Sequence, residues 1–261
     1  MGIVNVTPDS FYAGSRARGR EAVAAALKMC DEGADIVDVG GQSTRPGTMP
    51  ISPQEELRRV APVIEGLAGR IGCKLSVDTY NYGVAKYAAD SGVEIINDIT
   101  GMRSKAMREL VSDNRLECVI MHMQGSPESM QDSPHYKNVV LEVMSFLRKR
   151  TRLCEKEGIP KSRIIVDPGI GFGKTLEHNL EILRQIEKFK SLDGRLLVGA
   201  SRKSFIGKIC GRPGRPLPAG ERLEGSLAVA CYCAAKGADM VRVHDVRETR
   251  MALRMAEMLQ W

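Results

Sequence analysis

The stretch Lys236-Gly237-Ala238-Asp239-Met240-Val241-Arg242-Val243-His244 decides the fold. A glycine after an apolar helical run is the left-handed stop expected at a helix C-terminus. The residues after it set Val241 and Val243 against Arg242 and His244, the period-two pattern of a strand. The same stop recurs at Glu32-Gly33-Ala34-Asp35 and at Ser91-Gly92, each time ahead of a β-branched run. Helix, glycine, strand is therefore a repeating unit.

Working outward, strands are predicted at 2–6, 36–39, 75–78, 94–98, 118–122, 164–167, 196–200 and 240–244. Helices are predicted at 21–32, 53–68, 82–91, 105–113, 139–157, 176–189, 221–236 and 247–259. Eight such units in 261 residues average about 33 residues each, the spacing of a single (β/α)8 TIM barrel over 1–261. The alternative, a doubly wound open sheet, lacks its G-x-G-x-x-G after the first strand. The chain opens directly on that strand, so the segment that usually caps the barrel bottom is expected either to be absent or to lie outside this sequence. Segment 211–220 reads as one flexible loop.

Composition narrows the function. Hydrophobic residues at 43% and charged residues at 27% are enough for a large core. A net charge of +6 with 5% aromatics suits small anionic substrates better than nucleic acid. The basic clusters Arg58-Arg59 and Arg148, Lys149, Arg150 and Arg152 read as solvated helix faces. Seven cysteines without a C-x-x-C pair point to reduced thiols in a cytoplasmic protein and away from structural zinc. The longest apolar run, Leu227 to Ala235, is less than half a membrane span.

In a barrel, active sites form at the C-terminal strand ends, where alternate residues face the interior. The interior mouth is predicted to carry Asn5, Asp78, Asn97, Met121, Asp167, Lys203, Arg242 and His244. Asp98, on the opposite face from Asn97, reads as a turn residue, and His122 as a satisfied structural one. Two carboxylates, a carboxamide and a lysine suit a flat heterocycle with alternating donors and acceptors, and an Arg–His pair beside Asn5 suits a phosphate and its metal. Asn5–Phe11 and Gly40–Gly47 have lid-like chemistry. Gly199–Ser204 leads toward an apolar turn and suits an anion. Asp167–Thr175 is not a P-loop, because three residues rather than four separate Gly169 from Gly173.

Across Asn5–Phe11, Gly40–Gly47, Ser76–Asp78, Ile96–Ile99, Met121–Gly125, Asp167–Lys174, Ser201–Phe205 and Arg242–Val246, the chain resembles the dihydropteroate synthases of folate synthesis, the sulfonamide targets. The resemblance implies condensation of 6-hydroxymethyl-7,8-dihydropterin diphosphate with p-aminobenzoate. It implies that Asp78, Asn97, Asp167 and Lys203 hold the pterin in a slot lined by Met121 and Phe172. It further implies that Arg242, His244 and Asn5 bind the diphosphate, Asn5 also ligating Mg²⁺. Ser43, Thr44, Arg45 and Pro46, with Ser204, would shape the p-aminobenzoate site. The catalytic weight would fall on Asp78, Asp167, Lys203, Arg242 and His244, with no covalent nucleophile and with a homodimer as the assembly. The chain has Tyr12-Ala13-Gly14-Ser15 where the family commonly reads Ser-Asp-Gly-Gly, and Gln42 where it often has Glu. Other readings are a non-catalytic pterin-binding paralogue and a methyltetrahydrofolate:corrinoid methyltransferase.

Overall fold

The computed structural model describes residues 1–6, 19–43, 48–192 and 194–259. Eight strands run parallel in the order β1 (Gly2–Asn5), β2 (Ile36–Gly40), β3 (Lys74–Asp78), β4 (Ile95–Asp98), β5 (Glu117–Met121), β6 (Ile164–Asp167), β7 (Arg195–Val198) and β8 (Met240–Val241). Val243 closes the circle on the first strand. Its carbonyl accepts from Ile3 N at 3.0 Å, and its own N–H donates to Met1 O at 2.9 Å. Nine α-helices surround the sheet among the described residues: α1 (Arg20–Asp31), α2 (Pro53–Leu67), α3 (Tyr82–Asp90), α4 (Lys105–Asp113), α5 (Val139–Lys156), α6 (Leu176–Arg184), α7 (Ser204–Cys210), α8 (Leu223–Ala235) and α9 (Val246–Met258). Gly33, Gly92 and Gly237 all take positive φ after their helices, as the repeated stop requires.

Alternation along the strands splits the apolar residues into two cores. Met1, Ile36, Ile95, Val119, Ile165 and Leu197 pack inside the barrel. Val37, Val39, Leu75, Val77, Ile96, Cys118, Ile120, Val166, Leu196 and Val198 pack outward against the helices. Below the inner layer, Glu117 pairs with both Lys74 and Arg195. Above it, the register sets Asn5 beside Gly40, Gly40 beside Asp78 and Asp78 beside Asn97. Met121 pairs with Asp167. At one height, three of four neighbouring strands thus carry a polar residue and the fourth carries Gly40.

Four expectations are corrected. The apolar turn after Lys203 is the helix α7, whose Phe205 and Ile206 are buried; packing overrides the poor local propensity of Ser-Phe-Ile-Gly-Lys-Ile-Cys. The helix expected over 176–189 ends at Arg184 and continues as 3₁₀ turns over Ile186–Ser191. Segment 211–220 is fastened rather than loose. Arg212 and Arg215 exchange backbone hydrogen bonds, Leu217 N donates to Gly207 O at 2.9 Å, and Arg202 reaches the carbonyls of Ala219 and Gly220. Two basic residues expected on solvated faces turn inward. Arg150 donates to Gly101 O at 2.6 Å and Arg59 to Gly41 O at 3.1 Å, satisfying carbonyls at the loops after β4 and β2. Arg58, Arg148, Lys149 and Arg152 are exposed.

Candidate active site

At the C-terminal end of the barrel polar residues form a network centred on Asp38, which is fully buried. Its carboxylate accepts from Ser76 Oγ at 2.6 Å, Asn97 Nδ2 at 2.9 Å and Arg242 Nε at 2.7 Å. Arg242 also donates through Nη2 to Asp78 Oδ2 at 2.8 Å. One guanidinium is therefore held between two carboxylates. Burial pushes the Asp78 carboxyl up to about 7, with Arg242 opposing the rise and Asp38 adding to it. For Arg242, burial alone would lower the pKa, but the two carboxylates outweigh it and raise it.

Gly199, at the end of β7, marks the other half of the mouth. A Cβ there would lie 3.7 Å from Asp167 Oδ2, 3.8 Å from Arg242 Cβ and 4.0 Å from Lys203 Nζ. Asp167 is raised by burial, opposed by Lys203 and by the Gly169 N–H that its Oδ1 accepts at 2.7 Å. Lys203 is lowered to about 8, burial outweighing Asp167. Its ammonium donates to Ile170 O and stands 4.5 Å from the centroid of the Phe172 ring. Met121 is buried with Met123, Met130 and Ile99, against Tyr80 and Phe172. These residues form an apolar wall beside the charged floor.

The loop after β6 is fastened from within. Lys174 is 3% exposed, and its ammonium donates to the carbonyls of Gly169 and Phe172 at 2.9 Å each. It also lies 3.0 Å from His122 Nδ1. His122 is enclosed by Lys174, Tyr136 and Phe146, a satisfied structural residue. Asp98 accepts from Thr100 and Met102 and shapes the turn after β4.

The structure brings Asp78, Asn97, Met121, Asp167, Phe172, Lys203 and Arg242 around one mouth. Asn5 stands at its edge, since a Cβ on Gly40 would lie 3.8 Å from Asn5 Oδ1 and 3.4 Å from Asp78 Cβ. His244 lies beside Ser201 Oγ, 3.0 Å from its Nδ1. Its pKa is lowered to about 3, first by burial and then by Arg242. Ser204 opens α7 on a cavity of about 670 Å³ lined also by Phe172, Lys203 and Lys208. Ser43 Oγ is 3.5 Å from Thr48 Oγ1 on the second loop. Thr44, Arg45 and Pro46, and Tyr12–Ser15 of the first loop, lie outside the described residues. Gln42 donates to Tyr80 OH at 2.7 Å, and its buried Oε1 accepts no hydrogen bond from the described residues.

Asp38 escaped the sequence reading, although it alternates with Val37 and Val39 as Arg242 does with Val241 and Val243. The parity test that selected the other strands would have found it. Among the described residues no group of three or more His, Cys, Asp or Glu side chains is assembled to hold a metal. Asn5 contributes one hard oxygen. That suits a Mg²⁺ which draws most of its shell from phosphate and water rather than from a closed protein cage.

A family model described as pterin binding enzyme matches residues 1–244. The dihydropteroate synthase of Escherichia coli (strain K12) is 44% identical over 258 residues, covering 98% of this chain and 90% of the relative. A Yersinia pestis dihydropteroate synthase crystallised with a sulfonamide drug complex has a TM-score of 0.93 at 40% identity, with 99% of this chain and 92% of that one covered. A Xanthomonas albilineans dihydropteroate synthase in complex with 7,8-dihydropteroate has a TM-score of 0.86 at 40% identity and the same coverage.

Proposed function

The chain belongs to the pterin-binding enzymes, and within them to the dihydropteroate synthases, and from that premise we propose how its own residues join a pterin to an arylamine. The reaction is a transfer: 6-hydroxymethyl-7,8-dihydropterin diphosphate and p-aminobenzoate give 7,8-dihydropteroate and pyrophosphate. The bond from the exocyclic carbon to the diphosphate oxygen breaks, and that carbon bonds to the amine nitrogen. Pyrophosphate leaves with the electron pair, and the nitrogen gives up a proton to solvent.

The observation that supports the assignment of roles is the clustering about Arg242: Asp78 bonds to it, Asn97 shares Asp38 with it, and Asp167 and Lys203 lie close to it around Gly199. Asp167, Asn97 and Asp78 take the donors of the bicyclic ring, and Lys203 meets its acceptors. Their negative charge favours the cationic ring that forms as the diphosphate departs. Met121 and Phe172 supply the flat apolar walls. Arg242, His244 and Asn5 receive the diphosphate, whose charge grows as the bond breaks. Asp38 keeps hold of Arg242 Nε, so the guanidinium stays seated when Asp78 turns to the ring. Asn5 would hold Mg²⁺, which when bound neutralises the leaving group. Ser204, which lines the 670 Å³ cavity, orients p-aminobenzoate together with Ser43, Thr44, Arg45 and Pro46 of the second loop.

No helix among the described residues is long and apolar enough to cross a membrane. All seven cysteines are free thiols, which suits a reducing cytoplasm. The assembly is a homodimer. Supporting it, Met251, Met255 and Met258 of α9 are exposed, and an apolar groove of about 390 Å³ runs between α6, α7 and α8. Mixing the protein with both substrates and Mg²⁺ is expected to release pyrophosphate together with 7,8-dihydropteroate. Release no faster than with heat-killed protein would overturn the assignment.

A further inference from the structure

His244 follows β8, and Ser201 follows β7. They meet through a single oxygen: Ser201 Oγ accepts from the backbone N–H of His244 at 3.2 Å and lies 3.0 Å from its Nδ1. Ser201 is 7% exposed, and its hydroxyl makes no other hydrogen bond with the described residues. That leaves the serine proton one acceptor, Nδ1. Had Nδ1 carried the ring proton, it and the main-chain N–H would both donate to Oγ. The serine hydrogen would then be buried without a partner, which costs about 1–3 kcal/mol. A neutral imidazole has one donor nitrogen and one acceptor nitrogen, so an accepting Nδ1 puts the proton on Nε2.

We propose that Ser201 is a positioning residue that locks His244 in the Nε2–H tautomer, so that the ring presents a neutral N–H donor to an oxygen of the diphosphate leaving group. This rests on the reading of His244 as a diphosphate contact. The opposite tautomer would turn a lone pair toward the anion and repel it. The neutral state is in keeping with the surroundings. Burial and the positive charges of Arg242, Arg202 and Lys203 all disfavour a protonated ring, against an opposing pull from Asp245, itself paired bidentately with Arg202. His244 thereby adds a hydrogen bond to the cradle without adding a third cation beside Arg242 and Lys203.

Long-range ¹⁵N–¹H spectra of ¹⁵N-histidine-labelled protein read the tautomer directly. With four histidines in the chain, His244→Gln assigns the signal. The wild type should show His244 Nδ1 at the position of an unprotonated ring nitrogen and Nε2 at that of a protonated one. Ser201→Ala should mix the two tautomers and Ser201→Thr should keep the wild-type pattern. In calorimetry with inorganic pyrophosphate, Ser201→Ala should bind about tenfold more weakly, with Ser201→Thr restoring most of the loss. A protonated Nδ1 in the wild type overturns the proposal. The expected tautomer with unaltered pyrophosphate affinity in both Ser201→Ala and His244→Gln would instead overturn the reading of His244 as an anion contact.

Discussion

At Arg242 two carboxylates divide one guanidinium, Asp38 taking Nε and Asp78 taking Nη2. A buried cation without such partners would cost several kcal/mol, so the cradle depends on a residue that touches no substrate. Asp38→Asn keeps the shape but removes the charge facing Nε. It is expected to lower kcat/KM by about 10- to 100-fold, from roughly 1.5–3 kcal/mol of charge-assisted bonding, with the far-UV spectrum intact. An unchanged kcat/KM would show that Asp38 does not seat Arg242. Single residues were legible in the sequence where an improbable polar group interrupted an apolar strand, as Asp78 and Asp167 do. Arg59 and Arg150 were not, because each is bonded to a carbonyl on a distant loop, which no local pattern encodes.

Among the elements, the loop from Asp167 to Lys174 carries most of the constraint. Gly169 has φ +68°, and a Cβ on it would lie 1.9 Å from His122 O. No L side chain fits there. Gly214, at φ +73°, has open space around its missing Cβ and serves as the control. Gly169→Ala is expected to destabilise the fold by on the order of 3 kcal/mol, and Gly214→Ala by about 1 kcal/mol. Urea midpoints check both, and equal losses would contradict the close approach to β5. Strands and long helices were readable because periodicity and glycine stops act within a few residues. Helix α7 was not, since its seven residues owe their conformation to Phe205 and Ile206 packing into the core.

For the molecule as a whole, burying two lysines beside the mouth links stability to pH. Burial lowers Lys174 to about 7 and Lys203 to about 8, against an ordinary value of 10.5. The unfolded chain therefore holds protons that the folded one has shed, and the contribution to stability grows as pH rises above these values and is lost as pH falls through them. Each proton contributes at most about 1.4 kcal/mol per pH unit. Buried thiols such as Cys233, raised to about 12, act in the opposite sense only as pH nears their ordinary value of 9.0. Lys174→Met is therefore expected to reduce the rise in unfolding free energy between pH 7 and 8.5 by about 1 kcal/mol per unit. Parallel slopes for mutant and wild type would show that Lys174 is charged in the folded protein.

The barrel itself was legible from its eightfold repeat. The mouth was legible only in outline, because the bonds that tie Asp38, Asn97 and Arg242 together span as many as 204 residues of sequence. Its division into a ring-binding half and an anion-binding half is most directly tested by calorimetry with two ligands, the pterin alcohol and its diphosphate. Asp167→Asn should weaken both ligands by the same factor, and Arg242→Ala should weaken only the diphosphate, by roughly 1.5–3 kcal/mol. Equal losses for both ligands in Arg242→Ala, or unchanged binding in Asp167→Asn, would contradict that division.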